Sequence, residues 1–245
     1  MIHKLNVPTG IALCLAASIP AWGLAQSPHA SPAPVQIQMP VTTPPPPPEV
    51  IPEGISAEVW HHALAAHEEA KTAGKTTSAL VTVIDYSRPA TEKRLWVVDV
   101  QSDSVLAREY VAHGEGSGGL EATRFSNRDG SHQSSLGTFI TGERFVGIRG
   151  RSLPLHGLEA GINDNAYTRG LLIHGTPAVS EARALRGTMG VTEGCAGVPS
   201  KSAKRLINLI GTGTVVFVWY PDREFLEKSE YLDEQTVAES LEALD

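Results

Sequence analysis

Cys195 and His174 are the two side chains of this sequence best suited to nucleophilic chemistry. Cys195 lies in a glycine-containing segment, residues 192–197 (Thr-Glu-Gly-Cys-Ala-Gly), and His174 follows a short apolar run at residues 171–173. A cysteine and a histidine that are separated in sequence are a candidate nucleophile and its base, because an ordinary thiol is mostly protonated at neutral pH. A cysteine packed as a small hydrophobe is the alternative. The flanking glycines and the adjacent Glu193 favour catalysis over such a core position.

The N-terminus predicts export, which makes Cys195 an unusual residue. Residues 1–25 combine a basic start, an apolar run at residues 11–17 and small residues at the end, the pattern of a secretory signal peptide cleaved after Ala25. The apolar run is too short to span a bilayer, so a retained anchor is the weaker interpretation. Cys14 lies within the signal. Its removal leaves Cys195 as the only cysteine, without an intramolecular partner in an oxidising compartment.

Composition divides the mature chain into a linker, one domain and a tail. Residues 26–53 are rich in proline, which predicts an extended, semi-rigid linker or a disordered tail without a dedicated partner. Residues 54–221 are enough for a single domain with a substantial core, and residues 222–245 are acidic and are expected to form a solvated terminal helix. The signal contains one lysine and no acidic residue, so its removal changes the formal charge from −7 to −8. This charge argues against binding to nucleic acid or to anionic membranes.

Hydrophobic periodicity predicts a mainly β domain with short helices. Helical spacing covers residues 57–72, and a shorter helix is expected at residues 203–210. Apolar runs rich in β-branched residues predict strands at residues 80–84, 95–100, 105–111, 171–174 and 214–220. The second and third of these strands form a hairpin, and glycine-rich loops are expected in the middle of the domain. The fold class is therefore a mixed β-sandwich or barrel in a single domain.

Motifs in a fixed order along the chain resemble those of YkuD-type L,D-transpeptidases. Residues 173–176 (Ile-His-Gly-Thr) and residues 192–195 (Thr-Glu-Gly-Cys) are similar to the His-Gly and Ser/Thr-x-Gly-Cys signature of that family. Segments upstream resemble the branch of murein L,D-transpeptidase catalytic-domain proteins, at residues 111–118, 125–127, 131–137, 155–159 and 163–165. The resemblance runs from about residue 80 to residue 221. It implies a YkuD-like fold for the domain.

This resemblance implies acyl transfer in peptidoglycan. In the family, a cysteine attacks the carbonyl of the third-position diamino acid of a stem tetrapeptide, releases the terminal D-alanine and passes the acyl group from a thioester to an amine. The implied partners are peptidoglycan stem peptides, with another stem or the lysine of an envelope lipoprotein as acceptor. The implied location is the periplasm or cell envelope of a Gram-negative bacterium, with no stable membrane span.

No cofactor is expected for such a reaction. The thioester conserves the energy of the cleaved peptide bond, so neither ATP nor a metal is needed. Three histidines of the first predicted helix, His61, His62 and His67, have no cysteine or second carboxylate at ligand spacing, and no metal site is predicted there.

The catalytic roles follow from the resemblance and from the chemistry of a thiol. Cys195 is the nucleophile, and His174 is its base, with the other ring nitrogen of His174 oriented by the Gly175 carbonyl as the resemblance suggests. The backbone N–H groups of Gly194 and Cys195 are the predicted oxyanion hole, in which each donor contributes about 3 kcal/mol to the transition state. A serine nucleophile from the pair at residues 134–135 is disfavoured, because no lysine or histidine stands at motif spacing.

Five further residues are candidates for substrate binding. His113 and His156 repeat the His-Gly pair of the proposed base and are alternatives to it, but substrate contact or structural hydrogen bonding is the expected role of both. Arg169 precedes the histidine strand and is placed to pair with a stem-peptide carboxylate or with a surface acid. Thr192 and Ser135 complete the set.

Glu193 departs from the usual pattern of the family. The family often has histidine before the Gly-Cys pair and arginine after it, whereas here Glu193 precedes the pair and no arginine follows until Arg205. A carboxylate that faces the sulfur would raise the pKa of the thiol, and one in solvent would be harmless. Three functions stay open: a transpeptidase, a hydrolase of the same fold that gives the thioester to water or cuts a lipoprotein from murein, and a non-catalytic envelope-binding module.

Overall fold

The structure, a computed structural model, describes residues 50–245. The predicted signal peptide, residues 1–25, and the predicted linker up to residue 49 lie outside the described residues. The helices are α1 (Ala57–Thr72), α2 (Glu181–Ala184), α3 (Ser200–Ile210), α4 (Arg223–Lys228) and α5 (Glu234–Glu242). The strands are β1 (Leu80–Asp85), β2 (Lys93–Asp99), β3 (Ser104–Tyr110), β4 (Gly137–Thr141), β5 (Phe145–Gly147), β6 (Gly150–Gly157), β7 (Leu172–Thr176), β8 (Ala196–Pro199) and β9 (Val215–Trp219).

These strands form one sheet that curls into a nearly closed barrel. Their order is β3-β2-β1-β9-β4-β6-β7-β8, and β5 pairs with β6 beside this path. The β1–β9 and β7–β8 pairs are parallel and the others are antiparallel. Just beyond β3, Ala112 forms a bridge with Gly197 of β8, with N–H to carbonyl distances of 2.7 and 3.3 Å. The bridge joins the two ends of the sheet, and the predicted mainly β, single-domain fold is confirmed.

Helices α1 and α3 cover the sheet and complete the core. Helix α1 begins after Ser56, whose hydroxyl accepts the N–H of Val59 at 3.3 Å. Its Trp60 is fully buried, as is Trp219 at the end of β9. Helix α3 packs on β6 and β7, and a side chain at Gly175 would come within 2.9 Å of the Cβ of Ala203 in α3. The absence of a side chain at this position lets α3 support β7 from the core side.

The middle of the domain differs from the sequence-based prediction. Where glycine-rich loops were expected, the chain forms β4, β5 and β6. These strands contain glycines, a proline and the charged Arg151, which obscure the alternation that usually identifies a strand. Their pairing with β9 and β7 supplies the hydrogen bonds that weak local propensity does not.

The acidic tail also differs from the prediction of a solvated helix. It forms two helices, α4 and α5, and Phe225 and Leu226 of α4 are only 3% and 2% exposed. The hydroxyl of Ser229, between the two helices, donates to Oε2 of Glu159 at 2.5 Å. Glu159 lies beyond β6 and is itself buried. The tail is therefore attached to the rest of the domain by apolar burial and by a partly buried hydrogen bond.

Candidate active site

Cys195 and His174 lie on the same face of two neighbouring parallel strands. His174 is in the middle of β7, and Cys195 immediately precedes β8. The register pairs Ile173 with Ala196, and both of these side chains belong to the hydrophobic core. Because side chains alternate along a strand, Cys195 and His174 point to the opposite face. The pairing makes the thiol and the imidazole diagonal neighbours across the two strands.

The ring of His174 is held in the tautomer that a general base needs. Its Nδ1 lies 3.0 Å from the carbonyl oxygen of Gly175. A carbonyl oxygen can only accept, so Nδ1 carries the proton and Nε2 has the free electron pair. Nε2 is buried and has no hydrogen-bond partner within residues 50–245. Burial lowers the pKa of His174, which keeps the ring neutral and able to accept a proton.

The thiol of Cys195 is neutral at rest. The residue is 8% exposed, and its Sγ–H donates to the carbonyl oxygen of Gly170 over 3.6 Å. Burial raises the pKa of the thiol, and this effect is opposed by the backbone N–H of Leu172 and by the charge of Arg149. A thiolate therefore forms only when a base removes the proton.

Arg149 places a positive charge near both reacting groups. It lies in the turn between β5 and β6, and its charge lowers the pKa of the Cys195 thiol and of the His174 imidazole. Arg149 could not be singled out from the sequence, because the β5–β6 hairpin brings it to the site from a distant part of the chain. The only sequence signal is an arginine in a turn between two glycines, Gly147 and Gly150.

Glu193, the departure from the family pattern, faces solvent. Its side chain is 65% exposed, and its Oε2 lies 3.1 Å from Nη2 of Arg149. Its charge raises the pKa of the thiol, but burial, the Leu172 N–H and Arg149 all influence that pKa more strongly. Of the two orientations considered from the sequence, the structure has the one that faces solvent, in which the carboxylate affects the thiol only weakly.

Thr192 and Ser134 hold the loop that carries Cys195. The Oγ1 of Thr192 lies 2.7 Å from the carbonyl oxygen of Cys195 and accepts the N–H of Gly194 at 3.2 Å. The Ser134 hydroxyl donates to the Gly194 carbonyl and accepts the Gly114 N–H, both at 3.0 Å. Gly194 has φ of 116°, which favours glycine. Of the two candidate oxyanion donors, the Gly194 N–H is engaged by Thr192, whereas the Cys195 N–H has no partner within residues 50–245.

His113 lies in the core beneath this loop. Its Nδ1 accepts a hydrogen bond from Nη2 of Arg94 at 2.7 Å, and its Nε2 lies 3.4 Å from the Gly118 carbonyl oxygen. His113 and Arg94 are both fully buried. Burial, followed by the Arg94 charge, lowers the pKa of His113 to about 4. Both ring nitrogens are occupied, so the geometry favours structural hydrogen bonding over substrate contact.

Arg169 and Ser135 organise the loop before β4. The Nη1 of Arg169 donates to the Ser126 carbonyl and the Ser135 hydroxyl, both at 2.6 Å. Its Nη2 donates to the Ser131 hydroxyl at 3.0 Å and to the Gln133 carbonyl at 2.7 Å. All four acceptors are neutral oxygens. Arg169 is therefore a brace for this loop, and its charge also lowers the pKa of the nearby thiol.

His156 faces a groove beside the thiol. It is on β6, which β7 separates from the nucleophile strand β8, so His174 is the histidine next to Cys195. The ring of His156 stacks on Tyr167, with centroids 4.3 Å apart and planes at 13°. Both rings line a groove of about 650 Å³. This position favours contact with a substrate over service as the base.

The chain was compared with known families and proteins. A family model described as the L,D-transpeptidase catalytic domain matches residues 52–219, which is over half of the chain. The chain belongs to this family. The matched residues include both β7 and the Cys195 loop, so the paired thiol and imidazole lie inside the L,D-transpeptidase domain. No curated protein matches the sequence at a significant level.

Solved structures with similarity to this L,D-transpeptidase domain are distant in sequence. L,D-transpeptidase 3 from Mycobacterium tuberculosis, in complex with a faropenem-derived adduct, is 12% identical over 58% of this chain and 60% of that chain, with a TM-score of 0.39. Bd1075 of Bdellovibrio bacteriovorus is 15% identical over 68% of this chain and 54% of that one, with a TM-score of 0.38. The chain thus spans little more than half of each of these proteins.

Within residues 50–245 no helix is long and apolar enough to cross a membrane. In the same residues, histidine, cysteine, aspartate and glutamate side chains form no group of three or more that could hold a metal ion.

Proposed function

We propose that the protein is a peptidoglycan L,D-transpeptidase in which Cys195 is the nucleophile and His174 the general base. The observation that carries the proposal is the common face of the two side chains. The imidazole has its Nδ1 occupied by the Gly175 carbonyl, and its Nε2 is buried without a hydrogen-bond partner among residues 50–245. Such a nitrogen is poised to take the thiol proton.

Acylation begins with transfer of the Cys195 proton to Nε2 of His174. The thiolate attacks the carbonyl carbon of the third residue of a stem tetrapeptide, and the carbonyl electrons move to oxygen. The Cys195 N–H is the first candidate donor to this oxyanion, and the Gly194 N–H joins it if the substrate oxygen displaces Thr192 Oγ1. Collapse of the intermediate breaks the peptide bond. The departing D-alanine nitrogen takes the proton from His174, and a thioester remains.

Transfer repeats these steps with an acceptor amine. The amine attacks the thioester carbonyl and gives a proton to Nε2 of His174. The thiolate then leaves and recovers that proton, so the enzyme returns to its neutral resting state. The acceptor is an amine of another stem peptide or the lysine of an envelope lipoprotein. Water as acceptor would give a hydrolase by the same route. The signal-like pattern of residues 1–25 supports action in the periplasm or cell envelope.

Product analysis tests this function. Purified protein without the signal is incubated with stem tetrapeptides, and the products are identified by mass spectrometry. A cross-linked product and free D-alanine in equal amounts are expected. Cys195→Ala should remove both products while its thermal unfolding matches that of the wild type. Retained transfer in that variant would contradict the mechanism, and tripeptide without cross-links would identify a hydrolase.

Intact-mass analysis tests for a reactive nucleophile without assuming a substrate. A carbapenem carries a strained amide that a thiolate opens, so a stable adduct on Cys195 is expected in the wild type. Cys195→Ala should form none. If the wild type forms no adduct and releases no D-alanine, a non-catalytic envelope-binding module becomes the better description.

A further inference from the structure

The groove lined by His156 and Tyr167 adjoins the Cys195 thiol. Its volume is about 650 Å³, and Gly170 and Leu172 form the end that adjoins the nucleophile. The Gly170 carbonyl accepts the Cys195 Sγ–H at 3.6 Å, and the Leu172 N–H points at the same sulfur. A substrate whose carbonyl is at Cys195 therefore has neighbouring atoms in this groove.

Glu143 gives the groove a negative charge. Of the residues that line the groove, Glu143 is the only one with a carboxylate, and none is lysine or arginine. The side chain is exposed, and within residues 50–245 no basic side chain pairs with it. Arg149, in the turn of the β5–β6 hairpin, is already paired with the Glu193 carboxylate, and Arg169 donates to neutral oxygens of the loop before β4. The carboxylate of Glu143 therefore attracts a cationic group of the substrate to the groove.

Strand register places Glu143 at a definite distance from the nucleophile. Leu172 of β7 pairs with Pro154 of β6. On its other side, Leu172 lies level with Cys195, because the residues that follow them, Ile173 and Ala196, are partners in the β7–β8 register. The Gly142 N–H donates to the Pro154 carbonyl at 2.9 Å. Cys195 and Gly142 are therefore three strand spacings apart, which is about 14 Å along the curled sheet and less in a straight line.

This distance matches a diamino acid side chain. With bonds of about 1.5 Å, the terminal amine of such a residue lies roughly 6 to 8 Å from its own carbonyl carbon. The Glu143 side chain has four further bonds between Cα and its carboxylate oxygens and covers roughly 4 Å of the remainder. The methylenes between would lie along the wall formed by Tyr167 and His156. Tyr167 is 57% exposed although His156 covers one of its faces, and an aromatic face also attracts a cation.

We propose that this groove receives the side chain of the acyl-donor residue and that Glu143 binds its terminal ammonium group. The inference rests on the proposed function, since it places the donor carbonyl at Cys195. It makes Glu143 a specificity-determining residue, selecting diamino acids with a free side-chain amine over those whose amine is acylated.

Two synthetic tetrapeptides test the role of Glu143. They are identical except that the side-chain amine of the third residue is free in one and acetylated in the other. The rate of D-alanine release gives kcat and KM for the wild type and for Glu143→Gln. Glu242→Gln, which removes a carboxylate on α5, is measured as the matched control. The wild type and the control should prefer the free amine by about fivefold in kcat/KM, mainly through KM, as expected for one partly exposed ion pair. Glu143→Gln should use both peptides equally well.

Binding to Cys195→Ala keeps the inference separate from catalysis. The dissociation constants of the two peptides are measured for Cys195→Ala and for Cys195→Ala with Glu143→Gln. The first variant should prefer the free amine, and the second should not, whether or not the wild type turns the peptides over. If preference for the free amine survives Glu143→Gln, or if that change weakens both peptides equally, the inference is wrong. Absence of D-alanine release with an intact, Glu143-dependent binding preference would instead refute only the proposed function.

Discussion

Arg149→Gln separates the effect of charge on the nucleophile from the effect of burial. Burial raises the pKa of the Cys195 thiol, and the Arg149 charge opposes it. Glutamine removes that charge and keeps a long polar side chain. The thiol of the variant should therefore be deprotonated less often at neutral pH, and its reaction with an uncharged alkylating reagent should slow down. Glu193→Gln removes the opposite charge and should accelerate the same reaction.

The size of both effects follows from solvent exposure. The Arg149 and Glu193 side chains are 42% and 65% exposed, so water screens their charges. Interactions of such exposed charges contribute about 0.2–1 kcal/mol, which corresponds to an alkylation rate about 1.5 to 5 times lower for Arg149→Gln. The Glu193 carboxylate acts on the thiol more weakly than Arg149 does. Glu193→Gln should therefore raise the rate by less than about twofold.

The assay is the rate of iodoacetamide alkylation at Cys195, followed by intact mass from pH 6 to pH 10. Arg186→Gln is the matched control, because it removes an exposed arginine that is not among the charges acting on the thiol. Both effects should shrink at 1 M salt, where the screening length falls to about 3 Å. The reasoning is refuted if Arg149→Gln leaves the pH profile unchanged, or if Glu193→Gln changes it more than Arg149→Gln does.

Three further expectations follow from named contacts. His174→Ala should lower the rate of D-alanine release at least about 100-fold. Combining it with Cys195→Ala should lower that rate little further, because the two residues act as a unit in the proposed mechanism. An active His174→Ala variant would contradict the assignment of His174 as the base. Burial lowers the pKa of His62 and of His113 from 6.5 to about 4. The stability that these neutral rings contribute at neutral pH should therefore be lost as pH falls from 6.5 towards 4, by about 2 kcal/mol for each histidine at pH 4.5. A midpoint of urea unfolding that does not change over this pH range would exclude this contribution. Arg169→Lys cannot reproduce four N–H contacts and should cost about 1–2 kcal/mol of stability, whereas an unchanged melting temperature would show that the brace is dispensable.

The fold was predictable where local pattern and tertiary contacts agree. Helix α1 has apolar residues at helical spacing, the strands β1, β2, β3 and β9 contain apolar runs rich in β-branched residues, and the structure confirms these five elements. The strands β4, β5 and β6 have no such signal, because glycine, proline and charged residues are tolerated where neighbouring strands supply the hydrogen bonds. Their absence from the prediction also hid the hairpin that carries Arg149.

The candidate site was predictable only where the type of a single side chain indicates a chemical role. Cys195 and His174 could be singled out from residue type, isolation and flanking glycines. Ser134, which fixes the loop through the Gly194 carbonyl, and Arg149 are ordinary residues by sequence. Their importance arises only from the closure of the sheet and the β5–β6 turn, which bring them beside the nucleophile.

In the proposed mechanism, the opposite pKa shifts of Cys195 and His174 would explain how one cysteine persists in the oxidising compartment that the signal-like N-terminus predicts. The thiolate is the form that disulfides and oxidants attack, and a buried thiol with a raised pKa is largely protected from them. The lowered pKa of His174 means that the imidazole does not hold a thiolate as an ion pair at rest. The proposed catalysis then requires the proton transfer to be coupled to attack on a bound carbonyl, with the Cys195 N–H as the proposed donor to the oxyanion. The same burial that protects the thiol would therefore make its activation dependent on the substrate.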